Sequence, residues 1–253
     1  MIKDELFSTY LQEKNQSFSG WDFSYLSETG RVQNGILSWS YGSIVLPLIK
    51  EAQAMLDMGT GGGEFLSMLT PYPPTICATE AYPPNVPIAK KRLEPLGVKI
   101  VQIDDDNELP FEDNSFDLIT NRHESYSPTE LKRILTNQGI FLTQQVGGTD
   151  CSQINEQLGA PLNDEFNHWN LRYAVNELED HGFKIIDHRE EFPMQRFYDI
   201  CALIYYLKAI PWQVPDFTIE KYQDRLYQIH KFIQTQGYFD VQQSRFLIKA
   251  VLE

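Results

Sequence analysis

Residues 54–65, "AMLDMGTGGGEF", leave a chain few ways to fold. The run "AQAMLDM", ending on Asp57 and Met58, reads as a short buried strand, and "EFLSMLT" has the apolar spacing of a helix stopped by Pro71, Pro73 and Pro74. Gly59, Gly61, Gly62 and Gly63 lie between them. A strand that passes through glycines into a helix is the opening unit of an α/β fold. The missing side chains permit positive φ and let a ligand lie on the backbone, while the first helical turn presents unpaired N–H groups. A phosphate, a nucleoside or a plain tight turn would each suit the loop.

The same alternation continues. "TICATE" reads as a second strand, "NVPIAKKRLEPLG" as a helix stopped near Pro95 and Gly97, "VKIVQI" as a third strand and "FDLITN" as a fourth. "SPTELKRIL" has Ser127 at the N-cap position and Pro128 at the first helical position, and "GIFLTQQV" is a fifth strand. Strands alternating with helices predict a doubly wound, mostly parallel sheet. Further on, "LRYAVNELEDHGF" is helical up to Gly182, "KIIDHREEF" is a strand and "RFLIKAVLE" closes the chain as another. These make a seven-stranded sheet.

Two regions are not required by such a sheet. Residues 1–50, with Trp21, Phe23, Tyr25, Trp39 and Tyr41, read as a non-sheet, helical N-terminal cap segment. Residues 193–243 read as a helical insertion before the last strand, with "YDICALIYYLKAIPW" a buried helix and "TIEKYQDRLYQIHKFIQTQG" an amphipathic one ending at Gly237. The expectation is a single domain over 1–253, in which 51–192 and 244–253 form the ligand-binding core. The two extra regions are expected to cover the carboxyl ends of the strands, where doubly wound sheets bind ligands.

The loop itself narrows the ligand. Glu64 and Phe65 stand where a phosphate-binding Walker loop needs Gly-Lys-Ser/Thr, and Glu64 also breaks the G-x-G-x-x-G dinucleotide spacing. Carboxylates at Asp57 and Glu64 would repel a pyrophosphate. An acid followed by glycines at alternate positions resembles instead the first motif of the class I S-adenosylmethionine-dependent methyltransferases. Three more stretches agree in order and spacing across roughly residues 50–145. Glu80 ends the second strand. "DDNELPFEDNSFDLI" is similar to the ubiquinone/menaquinone biosynthesis type, the type 11 branch. "FDLITNRH" matches the fourth strand.

The resemblance implies a Rossmann-like methyltransferase fold, S-adenosyl-L-methionine as cofactor and S-adenosyl-L-homocysteine as product. It implies a cofactor site of Asp57, Gly59, Thr60, Gly61, Gly63, Glu80, Ala81, Asp105, Asp106 and Asn121, with Glu80 on the ribose diol and Asp105, beside Asp106, on the adenine amine. The residues after the fourth strand, Asn121 to Tyr126, are best placed to meet a methyl acceptor, with His123 and Arg122 as catalytic candidates. Tyr25, Trp39, Tyr126, His168, Trp169 and Tyr198 are candidate acceptor contacts. Methyl transfer by in-line displacement needs proximity and desolvation, and no metal.

A formal net charge of −14 disfavours long polyanions, and hence nucleic acid, as partners, and points to a small-molecule acceptor. An RNA methyltransferase or a non-catalytic cofactor-binding protein are the alternatives. The three cysteines have no metal-ligand or disulfide spacing, and no segment has the length of a membrane span, so a cytoplasmic, non-membrane protein is expected.

Overall fold

Apolar runs and breakers set the order of elements in the computed structural model, which describes residues 4–12 and 23–253. Trp21 lies outside the described residues. The chain runs α1 (Glu5–Gln12), α2 (Ser24–Ser27), β1 (Val32–Asn34), α3 (Tyr41–Glu51), β2 (Ala54–Met58), α4 (Glu64–Ser67), β3 (Thr75–Glu80), α5 (Val86–Leu93), β4 (Lys99–Gln102) and β5 (Phe116–Arg122). It continues through α6 (Pro128–Ile134), β6 (Leu135–Val146), α7 (Ser152–Leu158), α8 (Leu171–Asp180), β7 (Phe183–Glu191), β8 (Met194–Phe197), α9 (Ile200–Ala209), α10 (Ile219–Gln236), β9 (Phe239–Gln242) and β10 (Arg245–Leu252). Two compact units result: 37–146, 169–190 and 245–253 form one, and 1–36, 147–168 and 191–244 the other.

The first of these units is the expected doubly wound sheet, in the order β4-β3-β2-β5-β6-β10-β7. β2 pairs in parallel with β3 and with β5, β3 with β4, and β5 with β6, whereas β10 runs antiparallel to β6. The winding reverses between β2 and β5, so the carboxyl ends of these two strands border the crevice that such sheets use for ligands. Register then decides which residues meet there: Asp57 lies opposite Thr120, and Met58 opposite Asn121. Both faces of the sheet are covered. Met55, Leu118, Leu142 and Leu247 pack with α3 residues Val45 and Ile49 on one side, while Leu56, Ile119, Phe141 and Phe246 pack with Ile134 and Leu178 on the other. The apolar sequence of β2, interrupted only at Asp57, follows from this double burial.

The other unit packs α9 and α10 with a three-stranded antiparallel sheet, β1-β8-β9. All of α9 except Lys208 is buried, which explains why "ICALIYYL" lacks a polar face. Asp199 caps its start by accepting from Ala202 N at 2.8 Å, and Thr218 caps α10 by accepting from Lys221 N at 3.1 Å. The small sheet corrects the reading of residues 1–50 and 193–243 as free of strands. Three- and four-residue strands are too short for a period-2 pattern to stand out.

Smaller differences have local causes. The helix read in "EFLSMLT" is only α4, because Met68, 69% exposed, already turns away from the core ahead of Pro71. Ser127 does precede α6, with Pro128 inside its first turn, but its hydroxyl makes no capping bond. Among the described residues no helix is long and apolar enough to cross a membrane.

Asp117 holds the entry of β2, its carboxylate accepting from Gln53 N at 2.8 Å and Ala54 N at 3.1 Å. Asp117→Ala should therefore cost about 1–3 kcal/mol in denaturant unfolding while leaving ligand affinity at the far ends of the strands unchanged.

Candidate active site

At the carboxyl end of β2 the chain turns through Gly59, Thr60, Gly61 and Gly63, the glycines at φ of 62°, 63° and 79°. Thr60 N donates to Thr79 O at 3.0 Å, and Gly63 N donates to Thr60 O at 3.0 Å, so the loop is folded back onto β3. Arg92 of α5 clasps its outer side through Gly62 O and the Glu64 carboxylate. Gly61 needs its positive φ but not its lack of a side chain, since a Cβ there would meet nothing within 4 Å. Gly59 needs both. A Cβ there would run into the side chain of Glu124, which lies directly on the glycine's backbone.

Four carboxyl groups border this loop, each held in a distinct way. Asp57 accepts from the Thr120 hydroxyl at 2.7 Å. Burial pushes its carboxyl up to about 6, against the opposing pull of the Thr120 and Thr60 hydroxyls and the Arg122 guanidinium. Glu80, 4% exposed at the end of β3, accepts from Tyr82 N at 2.7 Å. Burial raises it, while Tyr82 N–H, the Asn85 side chain and the N–H groups of Gly61 and Ala81 restrain the rise. Asp106 accepts from the Ser125 hydroxyl through Oδ2, but its Oδ1 is buried without a hydrogen-bond partner. Burial, then the adjacent Asp105, raise it as well. Asp105 is turned to another task, since its exposed carboxylate closes a turn by accepting from Asn107 Nδ2 at 2.7 Å.

Glu124, with Asp57, Glu80 and Asp106, is the fourth of these acids. Its Oε1 accepts from Ser125 N at 3.1 Å, and burial together with the negative charges of Asp106 and Glu80 pushes its carboxyl up to about 7. Desolvated like charges make ionisation costly, so the cluster holds protons that isolated carboxyls would release.

The turn after β5 is built to hold that geometry. Asn121, fully buried, donates from Nδ2 to Ser125 O at 3.0 Å, and its Oδ1 accepts from Thr143 Oγ1 at 2.8 Å and Gln145 Nε2 at 2.7 Å. Gln145 Nε2 also reaches Glu124 O at 2.8 Å. Asn121 thus braces the turn from beneath. Tyr41 does the same from α3, its hydroxyl donating to Asn121 O at 3.0 Å and Leu142 O at 3.3 Å. The brace residues Thr120, Thr143, Gln144, Gln145 and Ser125 carry no sequence signal, since they come together only through the register of β2, β5 and β6.

His123 takes φ of 62°, an uncommon value for a residue with a side chain, and its N–H donates to Gln144 O at 2.8 Å. Its Nε2 lies 3.1 Å from Gln144 Nε2. Burial, then the guanidiniums of Arg245 and Arg122, push the imidazole down to about 3. The residue nevertheless keeps a solvent-exposed face, and the lowered imidazole is neutral at pH 7 and a weak base. Arg122 lies over the Phe65 ring at 4.3 Å.

The candidate acceptor contacts divide between the units. Trp39 is buried, its Nε1 donating to Gln144 Oε1 at 2.9 Å, directly beside the His123 contact. Tyr126 packs edge-on against Phe141 and Trp169, and its buried hydroxyl has no partner. Trp169 also lies against Phe246, an arrangement that staples the start of α8 to the sheet. Tyr25, His168 and Tyr198 belong to the other unit. There Tyr25 packs on Tyr205 with Arg31 over its ring, and the exposed Tyr198 donates to Gln33 Oε1 at 2.7 Å.

Residues 56–143 match the family model described as a methyltransferase domain. No curated protein sequence matches the chain. Among solved structures, a candidate methyltransferase from Bacillus halodurans C-125 is 19% identical with a TM-score of 0.59, over 84% of this chain and 99% of that one. A geranyl diphosphate methyltransferase in complex with S-adenosylmethionine is 15% identical with a TM-score of 0.51, over 84% of each chain. The [4+2]-cyclase SpnF is 16% identical with a TM-score of 0.52, over 98% of this chain and 93% of that one. These likenesses show the Rossmann-like methyltransferase fold, and the cyclase shows that this fold also hosts other chemistry.

The Glu124 carboxyl is raised on folding, so the sign of its pH linkage is fixed. Its folded value, about 7, exceeds the ordinary 4.5, so it opposes folding once pH rises above the unfolded value, in full above about pH 7. Glu124→Gln should accordingly raise stability at pH 8 by an amount on the order of 1–3 kcal/mol and change it little at pH 4.5, as read by thermal unfolding at the two pH values.

Proposed function

We propose that this chain is an S-adenosylmethionine-dependent methyltransferase that acts on a small-molecule acceptor. The reading rests on one observation above the others: the matched methyltransferase domain carries a glycine loop, open at Gly61, bordered by desolvated carboxylates with an unsatisfied acceptor. A cofactor with an ammonium, a sulfonium and a ribose diol fits that donor set; a pyrophosphate does not. The "DDNELPFEDNSFD" stretch supports the ubiquinone/menaquinone-type branch.

Glu80 is well placed to accept from the ribose hydroxyls, because its carboxylate is held at the strand end by backbone N–H groups and has no other charge to pair with. Asp106 offers a buried, unpartnered oxygen to the adenine amine, while Asp105 shapes the turn that presents it. Asp57 and the backbone of Gly59, Thr60, Gly61 and Gly63 receive the amino-acid end. When bound, the cofactor supplies an electrophilic methyl group for in-line displacement. What the chain adds is alignment and exclusion of water. His123 and Arg122 flank the acceptor side, with Trp39 and Tyr126 nearby. Neutral at pH 7 but lowered in basicity by its surroundings, His123 is a weak proton acceptor and is better suited to hydrogen-bond an acceptor already nucleophilic when bound. The surplus of acid favours an acceptor without phosphate polymers.

S-adenosylmethionine and S-adenosylhomocysteine should raise the melting temperature, whereas NAD and ATP should not; saturating ligand contributes RT ln(1 + [L]/Kd). Equal stabilisation by NAD would reverse the assignment. In Glu80→Ala the ribose loses charge-assisted bonds that contribute roughly 1.5–3 kcal/mol each, so calorimetry should give at least a tenfold weaker S-adenosylhomocysteine affinity. An unchanged affinity would put the ribose elsewhere.

A further inference from the structure

We infer that Glu124 is the residue by which this protein distinguishes the sulfonium cofactor from its neutral thioether product. The inference rests on the functional reading above and goes beyond it by assigning a charge-selective role to a side chain outside the glycine loop and the strand-end acids. Three features carry it.

The first is position. Glu124 lies against Gly59, so its side chain shares the surface of the loop, and that loop accepts it only because residue 59 lacks a Cβ. The second is that, among the described residues, no positive charge acts on it. The charged groups acting on Glu124 are Asp106, from the loop after β4, and Glu80, from β3; the remaining contacts are the Ser125 N–H and hydroxyl. Asp106 in turn faces Asp105. The nearby guanidiniums act on other groups: Arg92 on Glu64 and Gly62 O, and Arg122 on Asp57 and the face of Phe65. The third is an orphaned polar group. Asn85, fully buried, acts on the Glu80 carboxyl but neither of its polar side-chain atoms completes a hydrogen bond, and Asp106 Oδ1 is likewise unpartnered.

A set of desolvated carboxylates without a counter-charge favours a ligand that brings a positive charge. S-adenosylmethionine carries an ammonium, a carboxylate and a sulfonium, a net charge of about +1, whereas S-adenosylhomocysteine lacks the sulfonium and is neutral overall. The two differ by the methyl group and that charge. Because Glu124 is pushed up to about 7, a cation beside it releases its proton, and binding of the charged cofactor strengthens with pH while binding of the product does not. Turnover itself then removes the charge that held the cofactor, which favours product release.

The test is titration calorimetry of the intact wild type and of Glu124→Gln with S-adenosylmethionine, S-adenosylhomocysteine and sinefungin, an analogue with an amine in place of the sulfonium, at pH 6 and pH 8. Wild type should bind S-adenosylmethionine and sinefungin about tenfold more tightly at pH 8 than at pH 6, with S-adenosylhomocysteine changing less than about threefold. Glu124→Gln should lose about tenfold for the two cations at pH 8 and keep S-adenosylhomocysteine within about threefold. Equal losses for all three ligands would make Glu124 a general contact and overturn the inference, as would unchanged affinities. If the variant fails to fold, the wild-type pH series decides alone, and a cation affinity that does not rise with pH overturns it. Wild type that binds none of the three would overturn the methyltransferase reading itself, an outcome distinct from loss of discrimination.

Discussion

The pairing of β2 with β5 is the interaction on which the rest of the site depends. Its register sets Asp57 beside Thr120 and Met58 beside Asn121, so that two loops with unrelated sequences leave the sheet side by side. One is the glycine loop, and the other is the turn from Asn121 to Ser125. A one-residue slip would reverse the faces of every residue in β5, moving Leu118 and Ile119 out of the opposite layers into which they pack, so the packing of the sheet also guarantees the geometry of its end.

From that pairing follows an electrostatic consequence. Strand ends in a doubly wound sheet are poorly solvated, and here four carboxyl groups are collected there against few cations. Each is raised chiefly by burial, and Glu124 and Asp106 also by their neighbours. Of the four, Asp57 alone is offset by a guanidinium, that of Arg122. Arg133 is tied instead to Glu130 and Asp113, away from the strand ends, and Arg92 to the outer side of the loop. Carboxyls raised in this way are costly to ionise, which is the premise of the charge selectivity inferred for Glu124. The same acids that make the loop unfit for a dinucleotide make it fit for a sulfonium nucleoside.

Much of this was legible in the sequence, for identifiable reasons. The inner strands β2 and β3 are largely buried and read as apolar runs bounded by glycine and proline, and with the helices alternating between them β2 to β6 are recognisable. Asp57, the glycines and Glu80 are local signals, each within one strand–loop unit. What could not be read depends on contacts across the sheet. Asn121 reads as a cofactor residue from its place at the end of β5, but its bonds to Thr143, Gln145 and Ser125 form a network that requires the β5–β6 register. The exchange of tasks between Asp105 and Asp106 is set by one turn bond to Asn107. His123 looked like a base because of its type, but two guanidiniums and burial, both tertiary, depress it. The small sheet of β1, β8 and β9 was missed because its strands are too short to show a period.

The central claim is that the loop after β2 and the acid ending β3 together hold the adenosyl group. A crystal structure of the protein with S-adenosylhomocysteine tests it most directly. The account predicts the ribose hydroxyls within hydrogen-bond distance of the Glu80 carboxylate, the adenine amine at Asp106 Oδ1 and the amino-acid end on Gly59 to Gly63. A nucleoside bound with its ribose away from Glu80, or with its adenine on the glycine loop, would contradict it.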